Sequence, residues 1–192
     1  MATPLRIACF GDSLTEGYGL NPGQALPAVL ERMLNEQGVA ARCLNFGVSG
    51  DTAGDGLLRL NRVLSASPDA AIVAFGANDC FVHDPISEIR NNLDAILDAF
   101  AKRNIPVLLV GIKALTDVGR EYKQTFDRIF EELADQYAVP LFPDILSPYF
   151  GNPLLKLIDG THPNAAGVEA LARALLPHVS ELTRQVSSSA KN

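Results

Sequence analysis

Ala8-Cys9-Phe10-Gly11-Asp12-Ser13-Leu14 is where an apolar run, Leu5 to Phe10 with Arg6 as its one charged member, stops abruptly at three small or polar residues. A strand buried on both faces reads as a continuous apolar run, and one that ends this way delivers a polar side chain to the edge of a sheet. Four later segments also read as strands: Ala70 to Phe75 and Pro106 to Ile112, both apolar throughout, and the shorter Arg42 to Phe46 and Pro140 to Phe142. Between them lie stretches with apolar residues at helical spacing. Leu26, Val29, Leu30, Met33 and Leu34 form one face, ahead of Gly38 as a C-cap. Leu57, Leu60 and Leu64 form another, ending before Pro68. Ile86, Ile89, Leu93, Ile96, Leu97 and Phe100 follow Pro85, and Tyr122, Phe126, Ile129, Phe130, Leu133 and Tyr137 make a fourth. A last helix is expected from Asn164 as N-cap through Val168, Leu171, Leu175 and Val179, with a polar, frayed tail from Ser187. Thr15 to Gly23 and Pro143 to Leu157 read as irregular.

Strands alternating with helices predict an α/β fold. The expected architecture is a three-layer α/β/α sandwich around a five-stranded parallel, flavodoxin-like sheet, with right-handed crossovers placing helices on both faces. The 192 residues suffice for one well-buried domain, and no repeat, linker or low-complexity segment divides residues 1–192. A net charge of -6 and the absence of a basic run exclude a nucleic-acid footprint. No stretch approaches the ~20 apolar residues of a membrane span. Met1 to Pro4 lead almost directly into the first strand, without a basic segment and apolar core ahead of it, which predicts a cytoplasmic protein. The sequence is compatible with a monomer and leaves the oligomeric state open. Cys9, Cys43 and Cys80 lack Cys-x-x-Cys spacing, and Cys9 and Cys43 are expected to be buried as small hydrophobes.

In an open parallel sheet, ligands bind outside the carboxyl ends of the strands. Four polar clusters fall at that edge: Ser13 after the first strand, Gly50 after the second, Asn78 after the third, and Asp159 with His162 past the fifth. A serine hydroxyl becomes a useful nucleophile once an imidazole takes its proton, and the imidazole needs a carboxylate to fix its tautomer. His162 and Asp159, three residues apart in a Gly-containing loop, supply both types. The oxyanion of a tetrahedral intermediate needs fixed donors, and the backbone N–H groups of Ser13 and Gly50 and the Asn78 side-chain amide are suitable. Blander roles are assigned nearby: Asp51 and Thr52 as helix caps, and His83 and His178 as solvent-facing residues. Tyr18 and Phe81 are divided evenly between lining a pocket and packing.

Gly11-Asp12-Ser13-Leu14, Gly50 within Asn45-x-x-x-x-Gly-Asp-Thr, Gly76-Ala77-Asn78-Asp79 and Asp159-x-x-His162-Pro163 together resemble the four blocks of the SGNH (GDSL) hydrolase family, in order, from Ile7 to Pro163. The similarity is greatest to the bacterial branch of acyl-CoA thioesterase I, lysophospholipase L1 and arylesterases. It implies Ser13 as nucleophile, His162 as general base then acid, Asp159 as its orienting partner, and Ser13, Gly50 and Asn78 as the oxyanion hole. No metal or cofactor is implied. Ala77 stands where many relatives carry a second glycine, so its methyl is expected beside the crevice. The α/β-hydrolase alternative lacks its Gly-x-Ser-x-Gly elbow here. The expected activity is hydrolysis of short-to-medium acyl or aryl esters, with thioesters and lysophospholipids open. Acyl binding is expected between the loops Cys80–Pro85 and Lys113–Gly119. The rivals are a carbohydrate O-deacetylase, weakened by the absence of Trp, and a non-catalytic ligand-binding module.

Overall fold

A computed structural model describes residues 3–115 and 118–189. Five strands, β1 (Leu5–Gly11), β2 (Ala41–Gly47), β3 (Ala70–Ala74), β4 (Val107–Val110) and β5 (Leu141–Phe142), form one all-parallel sheet in the order β2-β1-β3-β4-β5. Every side chain of β3 and β4 is buried, as their unbroken apolar sequences require. The chain leaves β1 toward β2 and returns to β3 on the other side of β1. The strand order therefore reverses between β1 and β3, and that gap is the topological switch point at which such sheets bind ligands.

The helices are α1 (Ser13–Glu16), α2 (Leu26–Glu36), α3 (Ala53–Ser65), α4 (Ala77–Phe81), α5 (Ile86–Ala101), α6 (Arg120–Tyr137) and α7 (Ala165–Ser189). Along one face α5 packs between α3 and α6; on the other, α2 packs against α7. The long helices bury most of the stripe their sequences predict: Ile89, Leu93, Ile96, Leu97 and Phe100 of α5 are at most 2% exposed, while Leu57, Ile86, Tyr122 and Tyr137 are half-buried at its margins. Phe10 and Phe75, from adjacent strands, meet edge to face at 4.8 Å. Asn164 caps α7, its Oδ1 accepting the Gly167 N–H at 3.0 Å.

Three local expectations are corrected. The stretch read as a loop from Thr15 begins inside α1, because the Asp12 side chain caps the Leu14 N–H and starts a helical turn. The tip after β3 is likewise a short helix, so Asn78 and Asp79 sit on α4. The helix α7 continues through Ser189 rather than fraying from Ser187. Cys9 and Cys43 are buried free thiols on the neighbouring strands β1 and β2, and the Cys43 thiol together with burial holds the Cys9 thiol well above its usual range. Among the described residues no helix is long and apolar enough to cross a membrane.

Candidate active site

Ser13 is the first residue of α1, held directly above the end of β1. The turn that carries it is seated against β2: a Cβ on Gly47 would lie 2.1 Å from the Glu16 backbone nitrogen, so only glycine permits this approach. Across the switch point, the loop from Asp159 to His162 folds around one carboxylate. Asp159 Oδ1 accepts the Thr161 N–H at 2.9 Å and the His162 N–H at 3.0 Å, and its Oδ2 lies 2.8 Å from His162 Nδ1. The loop is closed below by Leu157, whose N–H reaches the His162 carbonyl at 2.8 Å. His162 Nε2 then stands 3.0 Å from Ser13 Oγ. The Thr161 N–H, followed by the imidazole and the His162 N–H, holds the Asp159 carboxyl below its usual range.

Asn78 and Gly50 complete the sheet edge from two other loops. Asn78 Nδ2 donates to the Asp51 carbonyl at 2.8 Å, which aims the amide and engages one of its two N–H bonds. Gly50, at φ 89°, sits in a left-handed conformation that favours glycine, and a Cβ there would meet nothing within 4 Å. Its neighbours are tied on both sides: Ser49 donates from its backbone N–H at 2.9 Å and from its hydroxyl to the Glu16 carboxylate, and Asp51 is held by Asn78. Among the described residues neither the Ser13 nor the Gly50 N–H has a protein acceptor. Ser13, Asn78, Asp159 and His162 line one cleft of about 550 Å³, whereas Gly50 stands outside its lining.

That cleft runs between the two loops expected to bind an acyl group. Cys80, Phe81 and His83 line one side, and Lys113, Ala114, Leu115 and Val118 the other; Thr116 and Asp117 lie outside the described residues. The Ala77 methyl is in its wall, and His83, read as plain surface, is exposed at its edge. Leu146, Tyr149 and Phe150 supply a third wall from the segment read as irregular. They belong to no periodic pattern, so the sequence carries no signal for them. Leu115, Leu146 and Phe150 also border a second hollow of about 580 Å³, together with Asp144 and Ser147. His178 is also corrected: half-buried, it meets the Phe142 ring edge-on at 5.5 Å.

Arg59 is the supporting residue that the sequence hides. From α3 its guanidinium reaches Asp51 Oδ2 at 2.5 Å, the Phe46 carbonyl at 2.7 Å and the Gly11 carbonyl at 2.9 Å, over the Phe10 ring. One planar fork thus joins the ends of β1 and β2 to the loop that carries Gly50. Asp51 is therefore an ion-pair partner and not a cap; Thr52 caps α3, in a reciprocal box with Asp55. Two acids lie beneath the site. Asp12, 2% exposed, accepts the Leu14 N–H at 2.9 Å, and burial pushes its carboxyl up to about 7, with the charge of Asp79 adding to the rise. Asp79, 1% exposed, accepts the Ala53 N–H at 3.0 Å on both oxygens, and burial raises it to about 6.

Residues 9–170 match the model of the GDSL-like Lipase/Acylhydrolase family. The chain belongs to this family. Among curated GDSL relatives, an arylesterase of Vibrio mimicus is 30% identical over 179 residues, covering 91% of this chain and 90% of that protein. The thioesterase 1/protease 1/lysophospholipase L1 of Escherichia coli (strain K12) is 32% identical over 159 residues, or 82% of this chain and 75% of that one. Among solved structures, AlinE4, an SGNH-hydrolase family esterase, superposes with a TM-score of 0.81 at 41% identity, over 94% of this chain and 97% of that one.

Proposed function

We propose that this carboxylic ester hydrolase works through an acyl-enzyme formed on Ser13. The observation that carries the reading is the continuous contact Asp159–His162–Ser13, with Nε2 at 3.0 Å from the hydroxyl and Nδ1 at 2.8 Å from the carboxylate. In this mechanism Ser13 Oγ attacks the ester carbonyl carbon as His162 Nε2 takes its proton. The carbonyl oxygen becomes an oxyanion held by the Ser13 and Gly50 N–H groups and the remaining Asn78 N–H. His162 returns the proton to the departing alkoxide, leaving the acyl group on Ser13. Water then attacks the acyl carbon with His162 again as base, and Ser13 is regenerated as the carboxylic acid leaves. Each oxyanion donor is expected to contribute about 10²–10³ in turnover.

Short-to-medium acyl and aryl esters fit a cleft walled by Ile112, Ala114, Leu146 and Phe150 beside the serine. The Vibrio mimicus and Escherichia coli relatives bear arylesterase, thioesterase and lysophospholipase names, which supports aryl esters first and acyl thioesters second. Ser13→Ala is expected to abolish turnover of p-nitrophenyl acetate and butyrate, and labelling by a fluorophosphonate, in a protein that melts like the wild type. Retained turnover in that variant would remove Ser13 as nucleophile. A chain-length series of p-nitrophenyl esters beside matching acyl-CoAs fixes the acyl preference.

A further inference from the structure

The two hydrogen bonds of His162 leave part of its position undetermined. Asp159 holds Nδ1 and Ser13 meets Nε2, at opposite ends of the imidazole. The Cβ–Cγ bond tethers the ring off the line between those nitrogens, and the side-chain torsions let the plane rock only within the latitude of the two contacts. A contact on the face of the ring narrows that latitude. The Asp159 side chain is also 35% exposed, so water screens its attraction for a protonated imidazole.

Tyr18 meets both needs. Its ring centroid lies 4.4 Å from that of His162, with the planes 35° apart. The tyrosine is not an adaptable surface residue at its backbone, since its N–H and that of Gly17 both donate to the Ser13 carbonyl, at 3.2 and 3.1 Å. The residue carrying the hydroxyl therefore also anchors the ring that covers the base. Tyr18 is not among the residues that line the acyl cleft, so its contact with His162 is separate from that lining. When His162 holds the serine proton, its positive charge lies against the electron-rich face of an aromatic ring.

We infer that Tyr18 is a positioning residue for His162: its ring face sets the tilt of the imidazole and stabilises the protonated form. This rests on Ser13 and His162 acting as proposed above. The ring matters, and the hydroxyl does not. Tyr18→Phe is expected to keep kcat for p-nitrophenyl acetate within about twofold. Tyr18→Leu, which keeps apolar bulk and loses the π face, is expected to lower kcat about three- to thirty-fold with KM within about twofold. The rate of Ser13 labelling by a fluorophosphonate falls by the same factor, because that reaction uses the same base. Tyr18 is 49% exposed, so the fold is expected to tolerate both changes, and matching thermal melts check it. A Leu variant with wild-type kcat and labelling rate overturns the inference, as does a Phe variant as slow as the Leu one. Absence of labelling in the wild-type protein would overturn the nucleophile assignment instead, so the two failures are told apart.

Discussion

Asp159 contacts His162 and Asp12 precedes Ser13 in the chain, and their surroundings drive the two carboxyls in opposite directions. Asp159 is partly in water, with two backbone N–H groups on one oxygen and an imidazole on the other. Its charged form is stabilised, and its carboxyl is held below the usual range. Asp12 is enclosed, accepts the Leu14 N–H, and faces a second buried acid, Asp79. Its proton is retained up to about pH 7. The difference assigns the two acids separate work. In the mechanism proposed above Asp159 orients the base, while Asp12 and Asp79 accept the first N–H groups of α1 and α3 from beneath.

Removing the charge from each acid in turn separates these roles. Asp159→Asn presents an amide to Nδ1 and favours the wrong tautomer of His162. Turnover is expected to fall about 10³–10⁴-fold, while the melting temperature stays near that of the wild type. A fall of less than tenfold would make Asp159 no different in kind from the buried pair. Asp12→Asn should act on stability and its pH dependence. A carboxyl that titrates near 3.8 when unfolded and near 7 when folded stabilises the fold below pH 4, and that contribution is lost as pH rises through 7. Asn keeps the acceptor for Leu14 and never ionises. The variant is therefore expected to exceed the wild type at pH 8.5 by on the order of 4 kcal/mol, with the gap closing toward pH 4, in urea melts at the two pH values. Identical pH dependence in the two proteins would place the ionisation elsewhere. Asp79→Asn gives the smallest effect, a relative gain on the order of 3 kcal/mol developing between pH 4 and 6.

The sheet and its edge were legible because burial on both faces leaves a mark on consecutive residues. Ala70 to Phe75 and Pro106 to Ile112 are apolar without interruption, and each ends near the observed strand. The four motif clusters were legible for a related reason: each stands immediately after a strand or in a short loop, where polar residues interrupt an apolar background. Arg59, Glu16 and the walls at Leu146, Tyr149 and Phe150 were not. Arg59 looks like any charged residue of an amphipathic helix, yet two of its partners are backbone carbonyls, which no side-chain pattern reveals. Asp12 lies in the motif itself, but its enclosure depends on packing by residues distant in the chain. Tyr18 reads equally as pocket lining or packing, because the imidazole it meets lies 144 positions away in sequence.

The seat of α1 against β2 has a bearing on how the site can be altered. With a Cβ on Gly47 only 2.1 Å from the Glu16 backbone, that flank is a backbone-to-backbone joint with no side chain to trim or enlarge. Across the cleft, Ala77, Leu115 and Leu146 offer side chains, and Leu115 is half exposed. Libraries aimed at new substrates should therefore vary the flank after β3 and β4 and leave the joint alone. Diversity placed at Gly47 will return mostly unfolded clones, whereas diversity at Leu115 and Leu146 will return folded enzymes sorted by the acyl group they accept.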